Sequence, residues 1–325
     1  MSRRSKVALL WAALATIVST VPRTGLAQSA AERARALTFE PGVTVTIVAP
    51  AELSRSQPVR LILYALPNGN STAQTMGRAV TDSADWRYDI QHIAAQTRAL
   101  RERGFVQTVV AYLEADGRSW PAWRARHGYT TANARIVQIV DTVRRLVGSG
   151  AQVNVTLTGH SGGGSFAFGF LDAHESLPEW LDRIAFLDSN YNYEARHAEK
   201  LLTWLGGDAR RLLVALAYDD REITLDGRKV VSDSGGTWRA TERMWRSLSP
   251  RLTFTRDTLG AFVRDRAAQV QLLRHPNRSN RILHTEMIGE MNGFMHVMLL
   301  GTAGYSDLNS VLRPERVYTR FIQPF

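Results

Sequence analysis

The chain has 325 residues, 44% of them apolar, no cysteine and a formal net charge of +10. That is enough for one large domain or two small ones, and it excludes disulfides, thiolate metal sites and a lipid-attachment cysteine. Arg3, Arg4, Lys6 and Arg23 put part of the charge in the opening segment. The rest is carried almost wholly by arginine, scattered without forming a tract, which fits solubility or attraction to anionic envelope polymers better than nucleic-acid binding.

In chain order, Ser2-Arg3-Arg4-Ser5-Lys6 is a basic opening, Val7–Val21 an apolar core and Gly25-Leu26-Ala27 a run of small residues. The core is shorter than the ~20 residues a spanning helix needs. The stretch 1–27 therefore reads as a signal peptide cleaved after Ala27, which makes the mature chain secreted or periplasmic without stable membrane insertion. Arg3-Arg4 admits the twin-arginine route, although Lys6 stands where an apolar residue is expected.

Beyond the leader there is no internal repeat, and β-branched runs alternate with amphipathic helices. Val43–Val48 alternates as a strand, and Arg60–Ala65 reads as a buried central strand that ends in the turn Leu66-Pro67-Asn68-Gly69-Asn70. Tyr88–Arg103 reads as a helix and Phe105–Leu113 as a strand. Ile136, Val140, Val143 and Val147 mark one helix face, closed by Gly148. Further strands are predicted at Val153–Leu157, Ile184–Leu187, Leu212–Tyr218 and Arg281–Ile288, with a helix over Ala195–Leu205. This rhythm predicts an α/β fold, a mostly parallel twisted sheet with helices on both faces. The interval 221–280 interrupts it: a hairpin with its turn at Asp226-Gly227, a helix near Thr241–Leu248 and an arginine-rich run. That is too long for a plain loop and predicts a flap or lid inserted between the last two core strands of a single domain spanning 28–325, with a surface decoration as the bland alternative.

The most specific stretch is Val153–Gly164. An alternating strand stops in Gly159-His160-Ser161-Gly162-Gly163 and a helix-compatible run follows. This matches G-x-S-x-G, in which a serine stands on a strained strand-to-helix turn and its flanking glycines let strand and helix pass closely. The bland alternative is a glycine-rich turn. A nucleophilic serine needs a base, and His296, after the expected last strand and opening an apolar helix, is the favoured candidate. His284 and Glu286 share a face, but a metal pair there lacks an evident third ligand; His160 is assigned to packing of the turn. For the orienting acid, Asp220 follows the strand Leu212–Tyr218 and is preferred, with Asp188, after Ile184–Leu187, as the alternate. The oxyanion donors are sought at Gly162 and in the turn at Leu66 or Asn68, since Pro67 has no N–H. Trp86, Trp120 and Trp123 are candidate pocket walls, with core packing the bland reading.

These residues, in the order Ser161…Asp220…His296, resemble the α/β-hydrolase superfamily over roughly residues 43–305. The resemblance implies acyl transfer to water through an acyl-serine, with no metal or cofactor. The turn Leu66–Asn70 departs from the His-Gly type of many lipases and esterases, so their substrate rules do not carry over. The expectation is an exported serine hydrolase acting on a small-molecule or envelope-derived carboxylic ester. A serine peptidase or amidase of the same fold is the alternative enzyme, and a non-catalytic envelope-polymer binding protein the alternative from another class.

Overall fold

The structure, a computed structural model, describes residues 31–81, 85–148, 152–257, 262–305, 312 and 315–324; the expected leader lies outside them. Its first element is a strand that the sequence conceals. β1 (Glu32–Phe39) is largely exposed and pairs antiparallel with β2 (Val43–Pro50) at one edge of the sheet. A strand with one face in water needs few apolar residues, so E-R-A-R-A-L-T-F gives little strand signal. β3 (Val59–Ala65) is the continuous apolar run expected at the centre, buried along almost its whole length.

α1 (Thr72–Met76) begins in a capping box between Ser71 and Gln74, and α2 (Ile93–Glu102) follows a short turn of helix over Trp86–Asp89. β4 (Thr108–Ala115) lies between β2 and β3, antiparallel to the first and parallel to the second. α3 (Trp120–His127) has Pro121 in its first turn, where the missing N–H costs nothing. α4 (Tyr129–Val147) buries Ile136, Ile139, Val140 and Val143, spaced at 3.6-residue periodicity. Next come β5 (Val153–His160), α5 (Gly164–Ala173), β6 (Leu181–Leu187), α6 (Ala198–Gly206) and β7 (Leu212–Tyr218).

The interval after β7 is built differently from a lid. β8 (Thr224–Leu225) and β9 (Arg228–Lys229) form the expected small hairpin, with Asp226 and Gly227 both at positive φ. α7 (Thr237–Leu248) buries Ala240, Met244 and Leu248 in the core, so it belongs to the helix layer. β10 (Phe254–Arg256) and β11 (Phe262–Asp265) extend the main sheet in antiparallel pairing. β12 (Val270–His275) is the last core strand, parallel to β7. The expected strand over Arg281–Ile288 is not one. Those residues form consecutive turns, with Met287 N–H on Leu283 O and Gly289 N–H on Thr285 O, and Leu283, Met287 and Ile288 buried as plugs. Their apolar spacing mimics a strand because it serves turn packing. α8 (Gly293–Leu299) follows.

Among the described residues the sheet has ten strands in the order β1-β2-β4-β3-β5-β6-β7-β12-β11-β10, parallel from β4 through β12. Two buried clusters cover its faces. One includes residues of α3, α4, α5, α6 and α7, the other residues of α2 and α8. This is the mostly parallel, two-sided architecture that the alternation predicts. Arg183 on β6 ties α8 down: its guanidinium donates to the carbonyls of Val297 and Leu300, which the helix end leaves unpaired. Burial lowers the Arg183 pKa to about 9. Among the described residues no helix is long and apolar enough to cross a membrane.

Candidate active site at the carboxyl ends of the strands

Ligands of such sheets bind beyond the carboxyl ends of the parallel strands, and β5 delivers Ser161 there. Ser161 takes φ +53°, a left-handed conformation that a non-glycine residue adopts at a cost of about 1 kcal/mol or more. The flanking glycines are explained by approach. A Cβ on Gly159 would lie 2.9 Å from the carbonyl oxygen of Ala65, and one on Gly163 would run into the same carbonyl. The end of β3 thus packs directly against the turn, and a side chain at either position would push the serine out of place.

Asp188 closes β6 as Ser161 closes β5. It also has positive φ (+46°), and its N–H donates to Leu216 O on β7 at 2.8 Å. The carboxylate is fully buried. Its Oδ1 accepts the hydroxyl of Thr237, and its Oδ2 is 2.5 Å from Nδ1 of His284. The His284 side chain is one-quarter exposed. His160 supports it from below. The two rings are 4.4 Å apart, and His160 Nε2–H donates to His284 O at 2.9 Å. Burial, with the neighbouring His284, holds the His160 pKa well below its ordinary value, so this supporting ring is neutral. The histidine of the motif therefore packs as expected, and what it carries is the loop with His284.

The expected base, His296, lies elsewhere. It sits on α8, 2% exposed, edge-on to Tyr305 with Nδ1 unpartnered, and no carboxylate bonds it among the described residues. Burial lowers its pKa to about 4. The mistaken last strand accounts for the difference: with β12 ending at His275, the loop after the last core strand holds His284, and His296 falls a helix later. The preferred acid, Asp220, is near Asp188 but bonds the N–H of Thr237 and no histidine. The alternate, Asp188, holds the imidazole. Glu286 bridges Arg281 at 2.7 Å, so the considered His284–Glu286 metal pair has both members engaged elsewhere. His92 with Asp89 and His197 with Asp172 also form pairs, but neither carboxylate ends a parallel strand.

Of the three expected oxyanion positions, Gly162 and Asn68 face each other: a Cβ on Gly162 would overlap the Asn68 side-chain amide. Gly162 lies in the first turn after the strand, where helix N–H groups are unpaired. Leu66 is excluded, because its N–H is spent on Leu113 O at 3.1 Å. The tryptophans divide. Trp120 and Trp123 are core residues, edge-to-face at 5.3 Å, with their indole N–H groups on the carbonyls of Leu113 and Pro41. Trp86, 60% exposed, lines a cleft of about 280 Å³ shared with Thr285 and Glu286, the residues next to His284.

No family model and no curated protein matches this chain. Solved structures similar to it include a cold-adapted esterase from an Arctic intertidal metagenomic library, at 13% identity and TM-score 0.40, covering 76% of this chain and 84% of that one. The feruloyl esterase module from Clostridium thermocellum, in complex with sinapinate, is 10% identical over 89% and 92% of the two chains, with TM-score 0.48. The siderophore hydrolase EstA from Aspergillus nidulans is 15% identical over 83% and 95%, with TM-score 0.45.

Proposed function

We propose that this chain, whose fold is α/β-hydrolase-like, is an exported serine hydrolase that cleaves a carboxylic ester through an acyl-serine intermediate. The carrying observation is the bond between Asp188 and His284 at the carboxyl edge that also bears the strained Ser161. A buried carboxylate on Nδ1 fixes the imidazole as the tautomer with Nε2 free to accept a proton.

In this reading His284 Nε2 takes the Ser161 proton as Oγ attacks the ester carbonyl. The negative charge that moves to the carbonyl oxygen is met by the N–H groups of Gly162 and Asn68. The imidazolium, stabilised by Asp188, then protonates the departing alcohol and leaves Ser161 acylated. Water activated by the same nitrogen releases the acid and restores Ser161. Export rests on the amino-terminal sequence pattern, and sequencing of the mature protein should begin at Gln28.

The test is labelling with a fluorophosphonate followed by mass spectrometry. Wild type is expected to label at Ser161 and Ser161→Ala not at all. A folded wild type that stays unlabelled would overturn the reading in favour of a binding protein. A panel of p-nitrophenyl esters and aminoacyl anilides then separates ester from amide cleavage, with turnover of anilides alone overturning the ester assignment.

A further inference from the structure

Thr237 sits between two buried carboxylates. Its hydroxyl donates to Oδ1 of Asp188 and its N–H donates to Oδ2 of Asp220 at 2.9 Å. All three residues are at most 2% exposed. Residue 236 is a glycine at φ +87°, and a Cβ there would collide with the Asp220 carboxylate, so that group is seated in the bend where α7 begins. Among the described residues no cation pairs with it. Arg221, next in sequence, is paired with Asp219 at 2.7 Å; Arg274 turns to Glu242; and Arg239 is spent on the carbonyls of Ser232 and Gly235. Among the described residues, Oδ1 of Asp220 has no hydrogen-bond partner from another residue. Burial, then the field of Asp188, pushes the Asp220 carboxyl up to about 6. A buried, uncompensated charge of this kind works against folding, and a capping residue for Thr237 need not be charged.

We propose that Asp220 is a positioning residue of the same site: it holds Thr237 so that the threonine hydroxyl stays on Asp188, and its charge behind Asp188 favours the imidazolium of His284. This rests on the reading given under Proposed function. The groups around Asp220 are few. Asp188 and Tyr191 come from the β6 end, Tyr218 and Asp219 from the β7 end, and Thr237 from α7. Burial first, then Asp188, raises both phenol pKa values, so at neutral pH the two phenols carry no charge. An anion near an imidazole raises its pKa, and removing the anion lowers it.

Asp220→Asn keeps an acceptor for the Thr237 amide and deletes only the charge. With the full-length mature protein, the readouts are the pH profile of kcat/KM on the best p-nitrophenyl ester and the pH dependence of fluorophosphonate labelling. The acid limb is expected to move to lower pH by roughly half a unit or more. On the plateau, kcat falls by about three- to tenfold with KM unchanged. Thr237→Val should lose kcat to a similar extent and Thr237→Ser should recover it, since serine keeps the hydroxyl on Asp188. An acid limb that coincides with wild type or moves upward in Asp220→Asn, or full activity in Thr237→Val, overturns the inference. If wild type and Asp220→Asn both label while the limb stays put, only the role of Asp220 fails. A folded wild type that never labels removes the catalytic reading and this one with it.

Discussion

Nδ1 of His284 and Oδ2 of Asp188 meet at 2.5 Å although 96 residues separate them in the chain. One end of the bond is set by the end of β6, where Asp188, the residue after the strand, is held by its own N–H on Leu216 O. The other is set by the turns after β12, which rest on the ring of His160. Because His160 is bound covalently to Ser161, the nucleophile candidate and the loop carrying the imidazole are held by one packing unit. Small displacements of either would therefore be felt by both.

The first expectation follows from that bond. Asp188→Asn reverses the partner polarity at Nδ1 and favours the wrong imidazole tautomer, so kcat on the best ester should fall by about 10⁴-fold. Asp220→Asn leaves the bond intact and should lose only the small factor argued above. Steady-state kinetics of both variants, with folding checked by near-ultraviolet circular dichroism, decides which carboxylate orients the base. An equal loss in the two would contradict the geometry.

A second expectation concerns strain at Ser161. At φ +53° glycine is favoured over alanine by about 1 kcal/mol. Ser161→Gly should therefore be more stable than Ser161→Ala by that amount in urea denaturation, while both are equally inert to fluorophosphonate. Equal stability would mean that the turn relaxes out of the left-handed region once the hydroxyl is gone.

The strand-to-helix turn at Ser161 was legible in the sequence because several physical demands converge on a few adjacent residues: an alternating strand, a serine at the turn, and glycines where the end of β3 comes close. The partners were less legible, since what selects them is contact between distant segments. Asp188 and Asp220 both end parallel strands next to each other, and only the placement of Thr237 and His284 tells them apart. His284 was hidden by Ile282, Leu283, Met287 and Ile288, whose spacing suits a strand but packs a series of turns. β12 lay unseen within an arginine-rich stretch, and β1 was masked by its exposed edge position. The rhythm of strands and helices survived these errors because every parallel crossover repeats it.

His296 gives a third expectation, about stability and pH. Its folded pKa is about 4 against 6.5 when free, so between those values the unfolded chain binds more protons and the native state loses stability as pH falls. The loss amounts to about 3 kcal/mol by pH 4. His296→Leu removes the titrating group and should show a correspondingly smaller drop in the urea midpoint between pH 7 and pH 4.5. It should still label at Ser161 at pH 7. Loss of labelling in a folded His296→Leu would return the base role to that residue.

Asp220 has the opposite sign. Its carboxyl is raised to about 6 from 3.8, so between those values the folded state binds more protons, and this residue's penalty on the native state shrinks as pH falls. At pH 7 the penalty is fully present, up to about 3 kcal/mol for a shift of this size. Asp220→Asn should therefore be more stable than wild type at pH 7, with the gap closing as pH falls toward 4. Urea midpoints of the two proteins across that range make the measurement. A variant that is both more stable and slower in turnover would show that the buried charge is kept for what it does to His284. A variant that is destabilised at pH 7 would instead make Asp220 a structural support for the start of α7.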